Sequence, residues 1–146
     1  MGCYNAVVLN APTDTVWAAL RNFHDLSWTP NVVTDVKVVG NVGGTEPGAM
    51  RILNDAFQET LLALDDNTRT LRYSIDDGPG PVASSNVSGY VGEVRVMPVT
   101  VGTEGDQTVV VWTSNWASEG GEGGPVGDFC DPIYRALLGD MKAYFG

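Results

Sequence analysis

The chain has 146 residues, room for one ordinary domain, with 43% apolar and 18% charged residues and 18 glycines. That balance fits strands and turns and excludes a coiled coil. Eight basic against 18 acidic residues leave a net charge of −10 at pH 7, so no basic surface exists for nucleic acid or anionic membranes.

Tyr4–Leu9 is a short apolar run ending at Asn10-Ala11-Pro12 and reads as a first strand. Thr13 is the expected N-cap of a helix with Asp14 in its first turn and Val16, Trp17, Leu20 and Phe23 along one stripe. His24-Asp25 closes that helix, and Leu26–Pro30 predicts a short second helix or a turn. Six strands are expected next, over Val32–Val39, Ala49–Leu53, Phe57–Leu64, Thr70–Asp76, Tyr90–Val99 and Thr108–Trp116. Turn-rich separators divide them, the longest being Gly40–Gly48 and Asp77–Ser88. Gly120–Pro125 predicts a hinge. After it Val126, Phe129, Ile133, Leu137, Leu138, Met141 and Tyr144 recur at helical spacing to the end of the chain. Helices segregated against an antiparallel sheet make an α+β fold, and a long amphipathic helix on a bent sheet leaves space for a cavity between the layers.

Strand parity says which side chains face that space. In Thr70–Asp76, Leu71, Tyr73 and Ile75 point one way and Thr70, Arg72, Ser74 and Asp76 the other. A hairpin centred on Asn67 sets Tyr73 opposite Leu61 and Ile75 opposite Glu59. A turn centred on Asp55 sets Leu53 opposite Phe57 and Arg51 opposite Glu59. Under these registers Arg51, Glu59 and Tyr73 share the interior face, and a one-residue slip reverses the assignment. Tyr90 is inward by the same parity, with Gly92, Val94 and Val96, while Glu93 and Arg95 face out. Trp112 and Trp116 share a face with Val110 and Ser114.

Most familiar chemistries are missing. There is one histidine, His24, and no Gly-x-Ser-x-Gly elbow, so a Ser-His-Asp triad has no support and His24 reads as a helix-end cap. No spacing of His and Cys suits a metal, and the glycines around 120–124 lack the Lys-Ser/Thr ending of a phosphate loop. Asp65-Asp66 and Asp76-Asp77 sit at turns, where aspartate is common. Cys3 and Cys130 form no disulfide pattern. No apolar run of about 18 residues and no leader-like N-terminus is present. The expectation is a cytoplasmic domain with free thiols, no metal and no cofactor.

What remains is Arg51–Glu59 with Tyr73. Across two strands such a pair fits a surface ion pair worth at most about 1 kcal/mol. It fits equally a buried pair in an apolar cavity, costly without a purpose. In the second case Glu59 transfers protons and Arg51 anchors a carboxylate or a developing enolate. Tyr90, Trp28, Trp112 and Trp116 read as core or as ligand contacts.

The stretches Ala11–Trp17, Trp28-x-Pro30, Gly48-Ala49-Met50-Arg51, Glu59–Asp66, Tyr73-Ser74-Ile75, Tyr90–Val96 and Ile133–Lys142 resemble the SRPBCC superfamily nearly end to end. This is the START-like, helix-grip group that includes birch-allergen relatives and polyketide cyclase/dehydrase proteins. The resemblance implies one domain over residues 1–146, in which a curved seven-stranded antiparallel sheet with two short helices grips the last helix around a hydrophobic cavity. Plant lachrymatory factor synthase and abscisic acid receptors look similar around the site. In the synthase the arginine and glutamate matching Arg51 and Glu59 are functional, with cavity tyrosines that Tyr73 and Tyr90 match. In the receptors the matching glutamate contacts ligand through water, and the loop matching Asp77–Ser88 closes over the pocket. Here that loop lacks the receptors' charged gate, and Thr60 stands where polyketide aromatases often place an arginine.

The expected function is cofactor-independent isomerisation, cyclisation or dehydration of a small, mostly apolar, oxygenated metabolite. Glu59 is the expected general acid/base, Arg51 the anchor, and Tyr73 and Tyr90 the hydroxyl donors. Trp28, Leu53, Phe57, Leu61, Ile75, Val82, Trp112, Trp116, Phe129, Ile133 and Leu137 are the expected lining. The alternative is a non-catalytic carrier of the same small hydrophobic ligand, with the Gly78–Asn86 loop as lid. Monomer and homodimer both remain open.

Overall fold

The computed structural model describes residues 2–120 and 125–146. Most of the predicted hinge, residues 121–124, lies outside that range. The first strand, β1 (Gly2–Leu9), starts two residues before the predicted Tyr4. Helix α1 (Thr13–Leu20) buries Val16, Trp17 and Leu20 along the expected stripe. Its N-cap is Pro12, in extended conformation and without a side-chain cap bond. Thr13 is the first helical residue, and its hydroxyl pairs instead with Thr108 Oγ1 at 3.0 Å.

Of the two readings of Leu26–Pro30, a short second helix or a turn, the segment takes the turn, so the second short helix implied by the resemblance does not form there. Pro30 cannot continue a helix and disfavours helical backbone before it. The turns are latched to the last helix by Asp140, which accepts hydrogen bonds from Thr29 Oγ1, Asn31 N and Asn31 Nδ2. Strand β2 (Val36–Val39) is shorter than the predicted Val32–Val39. The missing half is diverted by Asn54, whose Oδ1 accepts from Thr34 N and Asp35 N while its Nδ2 donates to Val32 O.

Strands β3 (Met50–Leu53), β4 (Phe57–Asp65) and β5 (Thr70–Asp77) follow as predicted within a residue at each end. A short ribbon of β6 (Val87–Ser88) and β9 (Ser118–Glu119) was not expected. Between them run β7 (Val91–Pro98) and β8 (Thr108–Asn115), and α2 (Val126–Phe145) ends the chain. Seven strands form the main antiparallel sheet, in the order β1-β8-β7-β5-β4-β3-β2. Helix α2 packs on its inner face through Val126, Cys130, Tyr134, Leu137, Leu138 and Met141. Tyr144, expected on that stripe, is 57% exposed. None of the described helices is long and apolar enough to cross a membrane.

The inferred register holds. Arg51 pairs with Glu59 and Leu53 with Phe57. Glu59 pairs with Ile75 and Leu61 with Tyr73. The β4–β5 ladder is not uniform, because Asp65, Leu64 and Ala63 pair one residue out of step and a bulge between Leu61 and Ala63 absorbs the difference. The extra residue, Leu62, is pushed outward to 46% exposure.

Candidate functional site

Arg51 on β3 and Glu59 on β4 are buried, at 6% and 5% exposure. The arginine Nε donates to Glu59 Oε1 at 2.8 Å, and Nη2 lies 2.7 Å from the same oxygen. Nη1 donates to Phe23 O at 2.8 Å, and the guanidinium lies 3.7 Å from the centre of the Phe23 ring. Phe23 lies beyond the end of α1 and forms part of the arginine's bed. This is a fixed, desolvated charge pair, and the surface reading is excluded. Glu59 Oε2 has no hydrogen-bond partner among the described residues. Burial pushes the Glu59 carboxyl above its usual range, and Arg51 offsets this only in part.

Tyr73 on β5 is 2% exposed and lies directly over Gly92 on β7. A Cβ at Gly92 would sit 2.3 Å from Tyr73 Cζ. Only glycine leaves room for the ring, whose hydroxyl accepts a hydrogen bond from Trp112 Nε1 at 2.9 Å. The same hydroxyl lies 3.3 Å from that of Tyr134 on α2, which in turn bonds the Tyr90 hydroxyl. Burial holds all three phenols well above their usual range, so they stay protonated donors.

These groups surround an apolar cavity of about 60 Å³. Arg51, Glu59 and Tyr73 line it, as do six of the predicted lining residues: Leu53, Phe57, Ile75, Trp112, Ile133 and Leu137. The other predicted residues stand off it. Trp28 is 6.3 Å from the Trp112 ring and faces a second space of about 20 Å³, which shares Arg51, Tyr73 and Trp112 as its wall. Leu61 and Val82 are fully buried packing residues, Val82 beneath Gly78. Trp116 stacks on Tyr90 at 5.7 Å, and neither ring reaches the cavity. Phe129 does not line the cavity; it stacks at 6.5 Å on Phe57, which does, and both are half-buried.

Sequence reasoning missed Leu26, Val32, Val33, Asn54, Cys130 and Tyr134 as lining residues. Cys130, Tyr134, Leu137, Leu138 and Met141 lie on one helical stripe, a signal that places Tyr134 facing the sheet. Burial pushes the Cys130 thiol up to about 11. His24 does not cap α1, which ends at Leu20; its Nε2 meets Met50 O at 3.0 Å and ties the following loop to β3. Asp65 and Asp77 accept backbone N–H bonds within their turns. Asp66 instead holds Trp17 Nε1 and Arg21, and Asp76 holds Thr60 and Ser74.

Comparison with solved structures gives a helix-grip α+β fold. A protein from Nitrosospira multiformis is 38% identical, with a TM-score of 0.89, over 100% of this chain and 97% of that one. XoxI from Bacillus cereus is 22% identical, with a TM-score of 0.73, over 99% and 94%. Major latex-like protein 151 from Panax ginseng is 13% identical, with a TM-score of 0.76, over 99% and 97%. No protein of curated function matches the chain. Residues 4–146 match the family described as polyketide cyclase / dehydrase and lipid transport. With a match over nearly its whole length, the chain belongs to that family, within the SRPBCC superfamily.

Proposed function

We propose that the protein binds a small, mostly apolar, oxygenated molecule between α2 and the sheet and moves a proton on it. The observation that carries this reading is the Arg51–Glu59 pair. A buried ion pair usually stabilises less than hydrophobic residues of the same volume. This one lines a cavity and keeps one carboxylate oxygen free. A carboxyl held above its usual range by burial keeps its proton more readily than an ordinary glutamate and can hand it to a ligand and take it back. Arg51 keeps the carboxyl in place, and its spare N–H groups stabilise negative charge developing on the ligand. Tyr73 supplies a neutral hydroxyl donor, with Tyr90 held behind it through Tyr134. Such chemistry needs no cofactor and covers isomerisation, cyclisation and dehydration.

The cavity volume sets a limit on the ligand. At about 60 Å³ it is far below the roughly 300 Å³ of an ordinary small-molecule pocket. A ligand of more than a few heavy atoms therefore needs the cavity lining to move apart. A carrier reading draws support from the lipid transport named in the family description. Mass spectrometry of metabolite extracts incubated with wild-type protein and with Glu59→Gln separates the two. Catalysis predicts depletion of a compound in molar excess over protein, lost in the variant. Depletion that stops at one equivalent is a carrier's result and overturns the catalytic reading.

A further inference from the structure

The hydroxyls of Tyr73, Tyr134 and Tyr90 form a buried chain with two contacts, Tyr73–Tyr134 and Tyr134–Tyr90. Each contact consumes one proton, and three hydroxyls carry three. Trp112 Nε1 adds a donor to Tyr73 and can accept nothing in return. One hydroxyl proton is left without an acceptor inside the cluster. At the Tyr90 end the ring stacks on Trp116, and the buried Ser114 Oγ beside it is a competing acceptor that makes no hydrogen bond among the described residues in this arrangement. At the other end both Tyr73 and Tyr134 line the cavity.

We propose that Tyr73 and Tyr134 together form a donor site for one ligand oxygen, the surplus proton of the cluster pointing into the cavity. The inference rests on the reading that this cavity takes an oxygenated molecule, and it names the oxygen as a hydrogen-bond acceptor: a ketone, an aldehyde or the enolate derived from one. Whichever of the two hydroxyls donates has itself accepted a bond from another member of the cluster, which strengthens it as a donor. Tyr90 is a positioning residue, because it touches Tyr134 and not the cavity.

Counting protons gives an unusual signature. Without Tyr73, Tyr134 accepts from Tyr90 and donates to the cavity. Without Tyr134, Tyr73 accepts from Trp112 and donates alone. Each single loss leaves a donor, and only the double loss removes it.

The test uses acetone labelled at its carbonyl carbon, small enough for the cavity of about 60 Å³, with the bound carbonyl stretch read by isotope-edited infrared spectroscopy. Wild type is expected to shift the band to lower frequency than in an apolar solvent. Tyr73→Phe, Tyr134→Phe and Tyr90→Phe each retain most of that shift, and Tyr73→Phe/Tyr134→Phe loses it. Complete loss in Tyr73→Phe alone overturns the proposal, as does a shift that survives in the double variant. An unshifted wild-type band also overturns it, the surplus proton then leaving through Tyr90 towards Ser114. Should the double variant fail to fold, the two cavity-facing single variants still decide. Turnover is a separate readout: a shifted band in a protein whose Glu59→Gln variant turns over normally keeps the donor site and removes only the catalytic reading.

Discussion

Replacing Glu59 by leucine should be among the most damaging single changes in the chain. The substitution leaves Arg51, 6% exposed, with Nε and Nη2 stripped of their shared acceptor and only the Phe23 carbonyl still bonded. Breaking a buried pair by removing one partner costs about 3–5 kcal/mol. In a domain of this size that lowers the melting temperature by about 6–20 °C, at about 2–4 °C per kcal/mol. Glu59→Gln should cost clearly less, because its side-chain carbonyl still accepts from Arg51. Arg51→Met combined with Glu59→Leu should recover the loss and match or exceed wild type, since an apolar pair of similar volume avoids burying either charge. Urea unfolding of wild type, Glu59→Leu, Arg51→Met and the double variant closes a double-mutant cycle. A Glu59→Leu cost below about 1 kcal/mol, the range of exposed pairs, would refute the buried geometry on which the functional reading rests.

Further outcomes follow from the same contacts. Stability of wild type relative to Glu59→Gln should be greatest below the ordinary glutamate value of about 4.3. It should decline as pH rises through the elevated folded-state value of Glu59; urea midpoints across pH test this, and a rise over that window contradicts it. Gly92→Ala should displace the Tyr73 ring, given the 2.3 Å approach of the added carbon, and cost about 1–3 kcal/mol. The Trp112 indole N–H resonance, which reports the bond to Tyr73, should move with it. Alkylation by iodoacetamide should reach Cys3, half-buried, before Cys130, which is 3% exposed. Mapping the labelled peptides checks the order, and equal rates would mean α2 opens readily from the sheet.

The heart of the site was legible because strand parity needs only composition and turn position. Alternation in Thr70–Asp76 put Tyr73 inside, and two hairpin centres put Arg51 and Glu59 beside it. The β4–β5 assignment depended on a bulge that no pattern announced. Counting back from the actual turn, where Asp65 meets Thr70, pairs Tyr73 with Leu62, and only the extra residue restores Leu61. Segments without regular backbone were not legible. Val32 and Val33 read as strand by composition, yet Asn54 bonds that backbone into a loop and turns both residues towards the cavity. Tyr134 was overlooked because the stripe on α2 was centred about one residue off, on Phe129 and Ile133, while the buried line runs through Cys130 and Tyr134. Trp116 and Tyr90 face inward as parity requires. Stacking on each other keeps both from the cavity, and facing direction alone cannot reveal that.

The most direct measurement is the titration of the Glu59 side-chain carboxyl carbon by NMR, assigned by its absence in Glu59→Gln. Burial outweighing the attraction of Arg51 predicts a midpoint above the ordinary glutamate value of about 4.3. A carboxyl of that kind is able to hold and release the proton the proposed chemistry needs. A midpoint at or below the ordinary value would mean that Arg51 dominates, leaving Glu59 a fixed counter-ion and contradicting its role in proton transfer.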